Sequence, residues 1–501
     1  MSDLPAPVSR LSPCPCGSGK RYKDCHGALT VTPRDALAAP ARRSAYRPSG
    51  PEWNLLSESE RDRLGVAMEA ALVHQRDGRA RDAERHYREV LAVAPATHDA
   101  LHMLAMARWS EGDYVEARRL IEAALPLRPE YPAIRQNLSL VLSAQRAQER
   151  SAQEALCEKA LPRMFELLRA SHAESPAAPV ADDVAVHLIG NDDGSDSDDA
   201  WMLRRLAAVV GAERAVIWPA QREAFAPGAD DDGAPRPVGG VHIWVGVDID
   251  VASTLPRVPP GRTVVFAQSA SPSRWLEVLR AIGADGARPL ELVVESQPKA
   301  DRFGTGHAVL PPPIDLAEFA AAEGSPRRGD PEEFVVGNVA QDGRMIPHAR
   351  AGSLQERVAN AGLRLDVYDP GRVRYALGAM PNVKCLSRRD VTLAQFLAPL
   401  SCYLYCCDAW WKEGLGRDLY GAMALGIPVL LPRTSIHAAH VRDGVDGILY
   451  DDDAGALEAI KALREDPARR SALGSAARDR ARRLFDPDGL ALAYRRLIAG
   501  A

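Results

Sequence analysis

The amino-acid sequence predicts a multidomain chain: a small zinc module, an all-α array of helical repeats, and an α/β body of two doubly wound, Rossmann-like domains. Three observations predict this architecture. Cysteine and histidine cluster near the N-terminus, a 34-residue period runs through residues 62–145, and strand patterns alternate with helix patterns after residue 184. Such alternation is typical of a parallel sheet. The predicted boundaries are 10–28 for the zinc module, 29–60 for a linker, 61–172 for the repeats, 173–183 for a second linker, 184–325 for the first α/β domain and 326–501 for the second.

Composition and charge exclude several classes of protein. The chain has 501 residues, of which 46% are hydrophobic and 26% charged, and a formal net charge of −5. A nucleic-acid-binding protein normally has a basic surface, so this charge argues against that class. No apolar run approaches the roughly 20 residues that span a bilayer, and the N-terminus lacks a basic-then-apolar signal pattern. We therefore expect a cytoplasmic protein with at most peripheral membrane contact.

The first motif is a cluster of metal-binding side chains within residues 12–27. Cys14, Cys16, Cys25 and His26 supply three thiolates and an imidazole, a complete tetrahedral set for structural Zn²⁺. A segment this short cannot bury a core, so metal binding would supply its folding energy. The alternative interpretation is that these are reactive or incidental thiols. The segment resembles the SEC-C zinc module, which implies a small protein-interaction device rather than a catalytic centre.

The helical repeats are indicated by positions that recur 34 residues apart. Gly78, Ala83, Tyr87 and Pro95 are followed by Gly112, Ala117, Ile121 and Pro129. This period is the tetratricopeptide signature, in which stacked helix pairs bury a shared core. We predict another helix over residues 132–144 and a capping helix over 152–170. A generic helical bundle is the alternative. Repeats of this kind would offer a concave face to a peptide or protein partner.

An acidic loop, residues 190–199, follows the first predicted strand of the α/β body. Ligands of an α/β sheet bind at the carboxyl ends of its strands, so this loop is expected to face a cleft. Asp192 or Asp193 could act there as a base or orient an acceptor hydroxyl. A solvated acidic turn is the alternative interpretation.

The stretch that carries most information runs from Trp411 to Pro432. It reads as a glycine-containing turn, a helix with one apolar face, a helix-ending Gly426 and a short buried strand. Gly414 and Gly416 precede the helix, where bare backbone can approach a ligand and N–H groups favour an anion. An ordinary connection between a strand and a helix would show the same glycines.

The whole stretch resembles the nucleotide-sugar-binding segment of the GT-B glycosyltransferases, in particular their large retaining group. The resemblance implies that Glu413 lies against the donor sugar and that the backbone at Gly414, Leu415 and Gly416 meets the diphosphate. The family usually has a second glutamate eight positions later, which holds the ribose hydroxyls; here that position is Gly421. Asp418 lies one turn earlier and is the proposed substitute.

A second donor contact is implied by the strand and turn at residues 334–344. The family has an arginine directly after the glycine at 337 and a lysine several residues later, and both meet the diphosphate. Here Asn338 follows Gly337, and no lysine lies between 339 and 350. The missing positive charge could come from Arg344, His348, Arg350 or, at the other turn, Arg417.

Two functions follow from these motifs. The first is a glycosyltransferase that moves a sugar from a nucleotide-diphosphate sugar to an unidentified acceptor, which could be a polysaccharide, a lipid-linked molecule or a protein. Resemblance implies that this chemistry needs neither a catalytic metal nor a redox cofactor. The second is an inactive GT-B scaffold that binds protein partners through its zinc module and repeats, since three donor-site positions depart from the family.

Overall fold

A computed structural model provides the coordinates of the chain. It describes residues 44–46, 51–172, 185–190, 197–211, 213–219, 240–246, 262–266, 271–285, 290–304, 307–320, 333–340, 354–370, 374–407 and 413–499. Among these residues, those up to Glu149 form one compact unit and those from Arg150 onward form a second.

The first unit is built of packed α-helices. They span Pro51–Leu55 (α1), Glu58–Arg76 (α2), Ala80–Val93 (α3), His98–Glu111 (α4), Tyr114–Ala124 (α5) and a 3₁₀ turn at Leu125–Leu127. The positions that recur at 34 residues are structurally equivalent: Gly78 and Gly112 both have a positive φ, 75° and 83°. Tyr87 and Ile121, 34 residues apart, are both fully buried. The helices therefore pair as the period indicates, and the tetratricopeptide assignment itself stays a prediction.

Two features of this unit differ from expectation. Two helices begin inside the predicted linker: α1 at Pro51, and α2 at Glu58, where Ser57 and Glu60 form a capping box. The two helices predicted over 132–144 and 152–170 are one continuous helix, Pro132–His172 (α6). The seven residues between them, Gln-Arg-Ala-Gln-Glu-Arg-Ser, include no glycine or proline, so nothing in that segment ends the helix.

The second unit contains two parallel sheets, one in each of two lobes. The first lobe holds Val186–Gly190 (β1), Ala215–Pro219 (β2), Val241–Val245 (β3), Arg262–Phe266 (β4), Leu290–Val294 (β5) and Ala308–Val309 (β6), in the order β2-β1-β3-β4-β5-β6. Its helices span Asp198–Val210 (α7), Pro272–Asp285 (α8), Gln297–Phe303 (α9) and Ala317–Ala320 (α10). All five strand pairings are parallel.

The second lobe repeats this plan. Its strands are Val335–Val339 (β7), Arg364–Tyr368 (β8), Val383–Leu386 (β9), Cys402–Leu404 (β10), Val429–Pro432 (β11) and Ile448–Tyr450 (β12), in the order β12-β11-β10-β7-β8-β9. Its helices span Leu354–Asn360 (α11), Arg374–Leu377 (α12), Leu393–Leu397 (α13), Arg417–Ala424 (α14), Asp453–Glu465 (α15), Pro467–Leu484 (α16) and Pro487–Ala499 (α17). The strand order reverses between β7 and β10, which is where a doubly wound sheet binds its ligand. Glu413 follows the carboxyl end of β10, one of the two strands at this reversal.

Burial explains why the strands could be predicted. β1, β3 and β4 are buried along their whole length, as expected for parallel strands covered on both faces. The last helix, α17, returns to the first lobe, where it contacts α7. There Tyr494 stacks on Phe266, with 6.0 Å between ring centroids, and donates a 2.8 Å hydrogen bond to the Pro311 carbonyl.

Some predicted features lie outside the described residues: the metal ligands Cys14, Cys16, Cys25 and His26, the acidic pair Asp192 and Asp193, and Arg344, His348 and Arg350. Zinc binding thus stays a prediction from the sequence. Within the described ranges, no helix is long and apolar enough to cross a membrane, and no group of three or more potential ligands could hold a metal ion.

Candidate functional site

The candidate site centres on residues 413–416, here called the Glu413 turn. The turn leads directly into α14, and Gly416 precedes the helix with φ at +71°, a left-handed conformation that glycine adopts without strain. At the other end of α14, Gly426 has φ at +74°. The glycine predicted to end this helix therefore does so.

Glu413 is held in the interior of the second lobe by the segment that follows β11. Its carboxylate accepts a 2.5 Å hydrogen bond from Ser435 Oγ and a 3.1 Å bond from the Ile436 amide. The residue is only 2% exposed. Burial raises the pKa of Glu413 to about 7, although these two hydrogen bonds favour the carboxylate form. A glutamate poised near neutral pH is typical of functional sites.

The first lobe covers the next two residues of the turn. The Leu415 amide donates a 3.2 Å hydrogen bond to Asp198 Oδ2, at the start of α7. A Cβ at Gly414 would lie 2.5 Å from the same oxygen, so only glycine fits there without moving Asp198. Leu415 itself is 4% exposed. An anion that binds this amide must therefore replace the Asp198 carboxylate.

Arg417 lies beside this contact and faces the first lobe. Its guanidinium stacks over the Trp201 ring, 4.6 Å from the centroid, and approaches Glu318 at 3.9 Å. Trp201 Nε1 also donates to Glu318, at 3.2 Å. The side chain of Arg417 is only 11% exposed. Dissolved ions therefore screen its charge less than they would screen a fully exposed arginine.

Asp418, in the first turn of α14, contacts a side chain of its own lobe. Its carboxylate accepts a hydrogen bond from the Tyr403 hydroxyl within the second lobe. Burial raises the pKa of Asp418, and the Tyr403 bond opposes that shift. Tyr403 belongs to β10, so this bond links the first turn of α14 to that strand. The role of Asp418 as a substitute for the family's second glutamate stays a prediction.

Gly421 is required by packing. A Cβ at this position would lie 2.4 Å from Cε1 of Phe319, which is 2% exposed and belongs to α10. The space that a glutamate at 421 would use is thus occupied by an aromatic ring from the segment that connects the lobes.

We expect Gly421→Ala to lower the free energy of unfolding by about 1–3 kcal/mol, because the added methyl overpacks against Phe319. In a Phe319→Leu background the same change should cost much less, since the smaller side chain leaves room for it. Urea midpoints of the four proteins measure this coupling. An equal cost in both backgrounds would contradict the steric explanation.

Gly337 and Asn338 make close contacts within the second lobe. A Cβ at Gly337 would meet Leu400 at 2.0 Å, so this glycine permits close packing within the lobe. Asn338 is 1% exposed, donates a 2.8 Å hydrogen bond to the Leu404 carbonyl and accepts one from Gln355 at 3.1 Å. The Asn338 side chain thus links β7 to β10. Diphosphate contacts at Gly337 and Asn338 stay predictions from the sequence.

Several residues of the site were missed by the sequence analysis: Asp198, Trp201, Glu318, Tyr420, Ser435 and His437. Asp198 belongs to the acidic loop that was singled out, but the pattern favoured Asp192 or Asp193 and could not rank the carboxylates. Ser435 caps, and His437 lies in, a short 3₁₀ segment, Ile436–His440, that no repeating pattern marks in the sequence. Their signal was only that they follow a buried strand on the ligand-binding side of the sheet.

Two segments of the chain match known family models. Residues 374–480 match the family model described as glycosyl transferases group 1, and residues 12–28 match the SEC-C motif. The first of these ranges contains the Glu413 turn and Ser435 to His440.

Among solved structures, HepE from Anabaena in complex with UDP-glucose is 16% identical, covering 63% of this chain and 100% of that chain, with a TM-score of 0.48. Sucrose-phosphate synthase from Thermosynechococcus elongatus is 16% identical, covering 64% of this chain and 100% of its own, at 0.45. An O-GlcNAc transferase mutant from Thermobaculum terrenum is 17% identical, covering 87% and 97%, at 0.38. The match to glycosyl transferases group 1 thus lies within a body of two parallel six-stranded sheets, and the SEC-C match lies near the N-terminus.

Proposed function

We propose that the protein transfers a sugar from a nucleotide-diphosphate sugar to an acceptor hydroxyl, with the donor bound at the Glu413 turn. The group 1 match over residues 374–480 supports this reaction class. The position of the turn, where the strand order of the second lobe reverses, supports the location. The acceptor, the cytoplasmic location and any protein partner of the helical repeats stay predictions.

The observation that carries the proposal is the hydrogen bond from the Leu415 amide to Asp198 Oδ2. This amide precedes α14, faces the first lobe and already donates a hydrogen bond to an anionic oxygen. A diphosphate oxygen has the same charge and the same hydrogen-bonding capacity, so it can replace that carboxylate. Arg417, directly beside this amide, would stabilise the charge that gathers on the diphosphate as the sugar leaves.

Glu413 takes the role of the sugar-contacting acid in this proposal. Its carboxylate is fixed by Ser435 and Ile436, so a sugar hydroxyl that donates to it would be held in one orientation. We retain Asp192 as a proposed catalytic residue and Arg344 as a proposed diphosphate ligand on the grounds given by the sequence. Neither role depends on the contacts described above.

The test is a thermal-shift panel on the full chain, with uridine, guanosine, thymidine and adenosine diphosphates and their sugars, each with and without Mg²⁺. We expect one base series to raise the Tm by about 3–6 °C at a hundredfold excess over Kd, since a ligand of the native state stabilises it. A shift that does not need Mg²⁺ would support binding without a metal. No shift with any nucleotide would overturn the proposal and favour the scaffold alternative.

The Asp198→Asn variant sharpens this test. Removing one negative charge from the Leu415 amide should tighten nucleotide diphosphate binding by about fivefold, because the diphosphate no longer displaces or faces a carboxylate. Asp452→Asn is the matched control, since Asp452 caps the start of α15 through the Gly455 amide. Weaker binding by the Asp198 variant would contradict the placement of the diphosphate at this amide.

A further inference from the structure

Two histidines and a tyrosine form a chain of hydrogen bonds that ends on the Glu413 turn. His440 Nδ1 lies 2.5 Å from the Tyr420 hydroxyl, and that hydroxyl lies 3.0 Å from His437 Nδ1. His437 Nε2 lies 3.1 Å from the carbonyl oxygen of Gly414. Tyr420 and His437 are both fully buried. This series of hydrogen bonds therefore links α14 and the segment after β11 to one carbonyl of the turn.

The position of each hydrogen follows from this geometry. The Gly414 carbonyl can only accept, so His437 Nε2 carries a hydrogen and donates it. Burial lowers the pKa of His437 to about 3, so the ring is neutral and its Nδ1 is an acceptor. The Tyr420 hydroxyl has one hydrogen and gives it to that Nδ1. His440, whose pKa burial lowers to about 4, must then donate from Nδ1 to the Tyr420 oxygen. The network thus assigns both tautomers.

The hydrogen bond from His437 to the Gly414 carbonyl also sets the direction of the Leu415 N–H. The Gly414 C=O and the Leu415 N–H belong to one planar trans peptide group and point in opposite directions. Because His437 holds the oxygen, the N–H is aimed away from it, at the position where Asp198 Oδ2 now lies. Gly414 has no side chain to limit rotation of this peptide group. Without the histidine, the group could turn and present its carbonyl to an incoming anion.

The same short segment also holds Glu413, so the turn is fixed at two successive residues. Ser435 Oγ donates to the Glu413 carboxylate and accepts a 3.1 Å hydrogen bond from the backbone amide of His437. The ring of His437 packs edge-on against Tyr405 and Tyr420, with centroids 5.6 and 5.4 Å apart. Its orientation is therefore set by packing as well as by hydrogen bonds.

We propose that His437, oriented by Tyr420 and His440, is a positioning residue that locks the Gly414–Leu415 peptide with its N–H toward the donor diphosphate. This inference rests on the proposed function for the identity of the ligand. The lock itself depends only on the hydrogen bonds described above, and it can be tested without a ligand.

The test compares His437→Leu, which removes the donor to Gly414, with His437→Gln, whose side-chain amide can replace Nε2–H. Tyr420→Phe removes the central hydroxyl and keeps the ring. Tyr368→Phe is the matched control, because Tyr368 is a buried tyrosine of the same lobe that donates to the Val391 carbonyl, away from the turn. Circular dichroism and Tm establish that each variant is folded.

The first readout is hydrogen exchange, by mass spectrometry, of peptides that contain residues 413–419. Exchange should be faster in His437→Leu and Tyr420→Phe than in the wild type, and unchanged in Tyr368→Phe and His437→Gln. The second is the Kd of the nucleotide diphosphate that gives a thermal shift. It should rise by about 10- to 100-fold in His437→Leu and by no more than about threefold in His437→Gln, since misaligned donors lose most of their effect.

The outcomes separate the two proposals. If exchange is faster in His437→Leu but the wild-type chain binds no nucleotide, the peptide lock is supported and the proposed function is rejected. The donor is then also rejected as the ligand that the lock serves. Nucleotide binding by the wild type with equal exchange in all variants rejects the lock and keeps the function. Equal Kd values for His437→Leu and His437→Gln would also reject the lock.

Discussion

Glu413→Gln should lower the rate of donor turnover by about 10- to 100-fold. This factor corresponds to the roughly 1.5–3 kcal/mol that a hydrogen bond to a charged group contributes. The amide has nearly the same shape as the carboxyl, and its one oxygen can still accept from Ser435. The variant loses the charge that would hold a sugar hydroxyl, and its nitrogen cannot accept from the Ile436 amide. Nucleotide diphosphate release, with donor alone and with donor plus acceptor, measures the rate. Glu458→Gln, on the exposed face of α15, is the control.

The pH dependence of the wild type checks the same role. Because burial raises the pKa of Glu413 to about 7, the carboxylate is lost as the pH falls through 7 rather than through the usual 4 to 5. If the ionised form binds the donor sugar, kcat/KM should fall about tenfold per pH unit below 7. The Glu413→Gln variant should show no such decline between pH 5 and 7. A wild-type rate that is flat in this range would contradict the assignment.

Gly474→Ala should destabilise the second lobe by about 3 kcal/mol, because a Cβ there would lie 2.0 Å from the backbone oxygen of Gly426. Gly474 lies in α16, and Gly426 is the left-handed residue that ends α14. A backbone oxygen cannot move aside as a side-chain tip can, so one helix must shift. The change should also weaken the Glu413 turn, since α14 begins where that turn ends.

The matched control is Gly455→Ala in the neighbouring helix α15. There a Cβ would lie 3.4 Å from Asp452 Oδ1, an ordinary contact, so alanine should leave stability unchanged or raise it by up to about 1 kcal/mol. Urea unfolding followed by circular dichroism measures both variants. Equal midpoints for Gly474→Ala and Gly455→Ala would show that α14 and α16 do not approach each other as closely as described.

The strands of both lobes were predictable because parallel strands covered on both faces are continuous apolar runs. Val241–Val245, for example, is buried over its whole length. The glycines of the Glu413 turn were also predictable, since a helix start and a helix end have local requirements. The continuous helix α6 was not predicted, because the 34-residue period favoured two separate helices there. The residues between them do not support a break.

The amino-acid sequence alone determined the two-sheet body, the helical array and the position of the Glu413 turn, since these depend on apolar periodicity and on turn chemistry between neighbours in the chain. Only the tertiary structure decided which side chains meet that turn. Asp198 reaches Leu415 across 217 residues, His437 reaches Gly414 across 23, and Phe319 fills the space at Gly421. Such contacts depend on how the lobes and their connecting segment pack, and no local pattern encodes that packing.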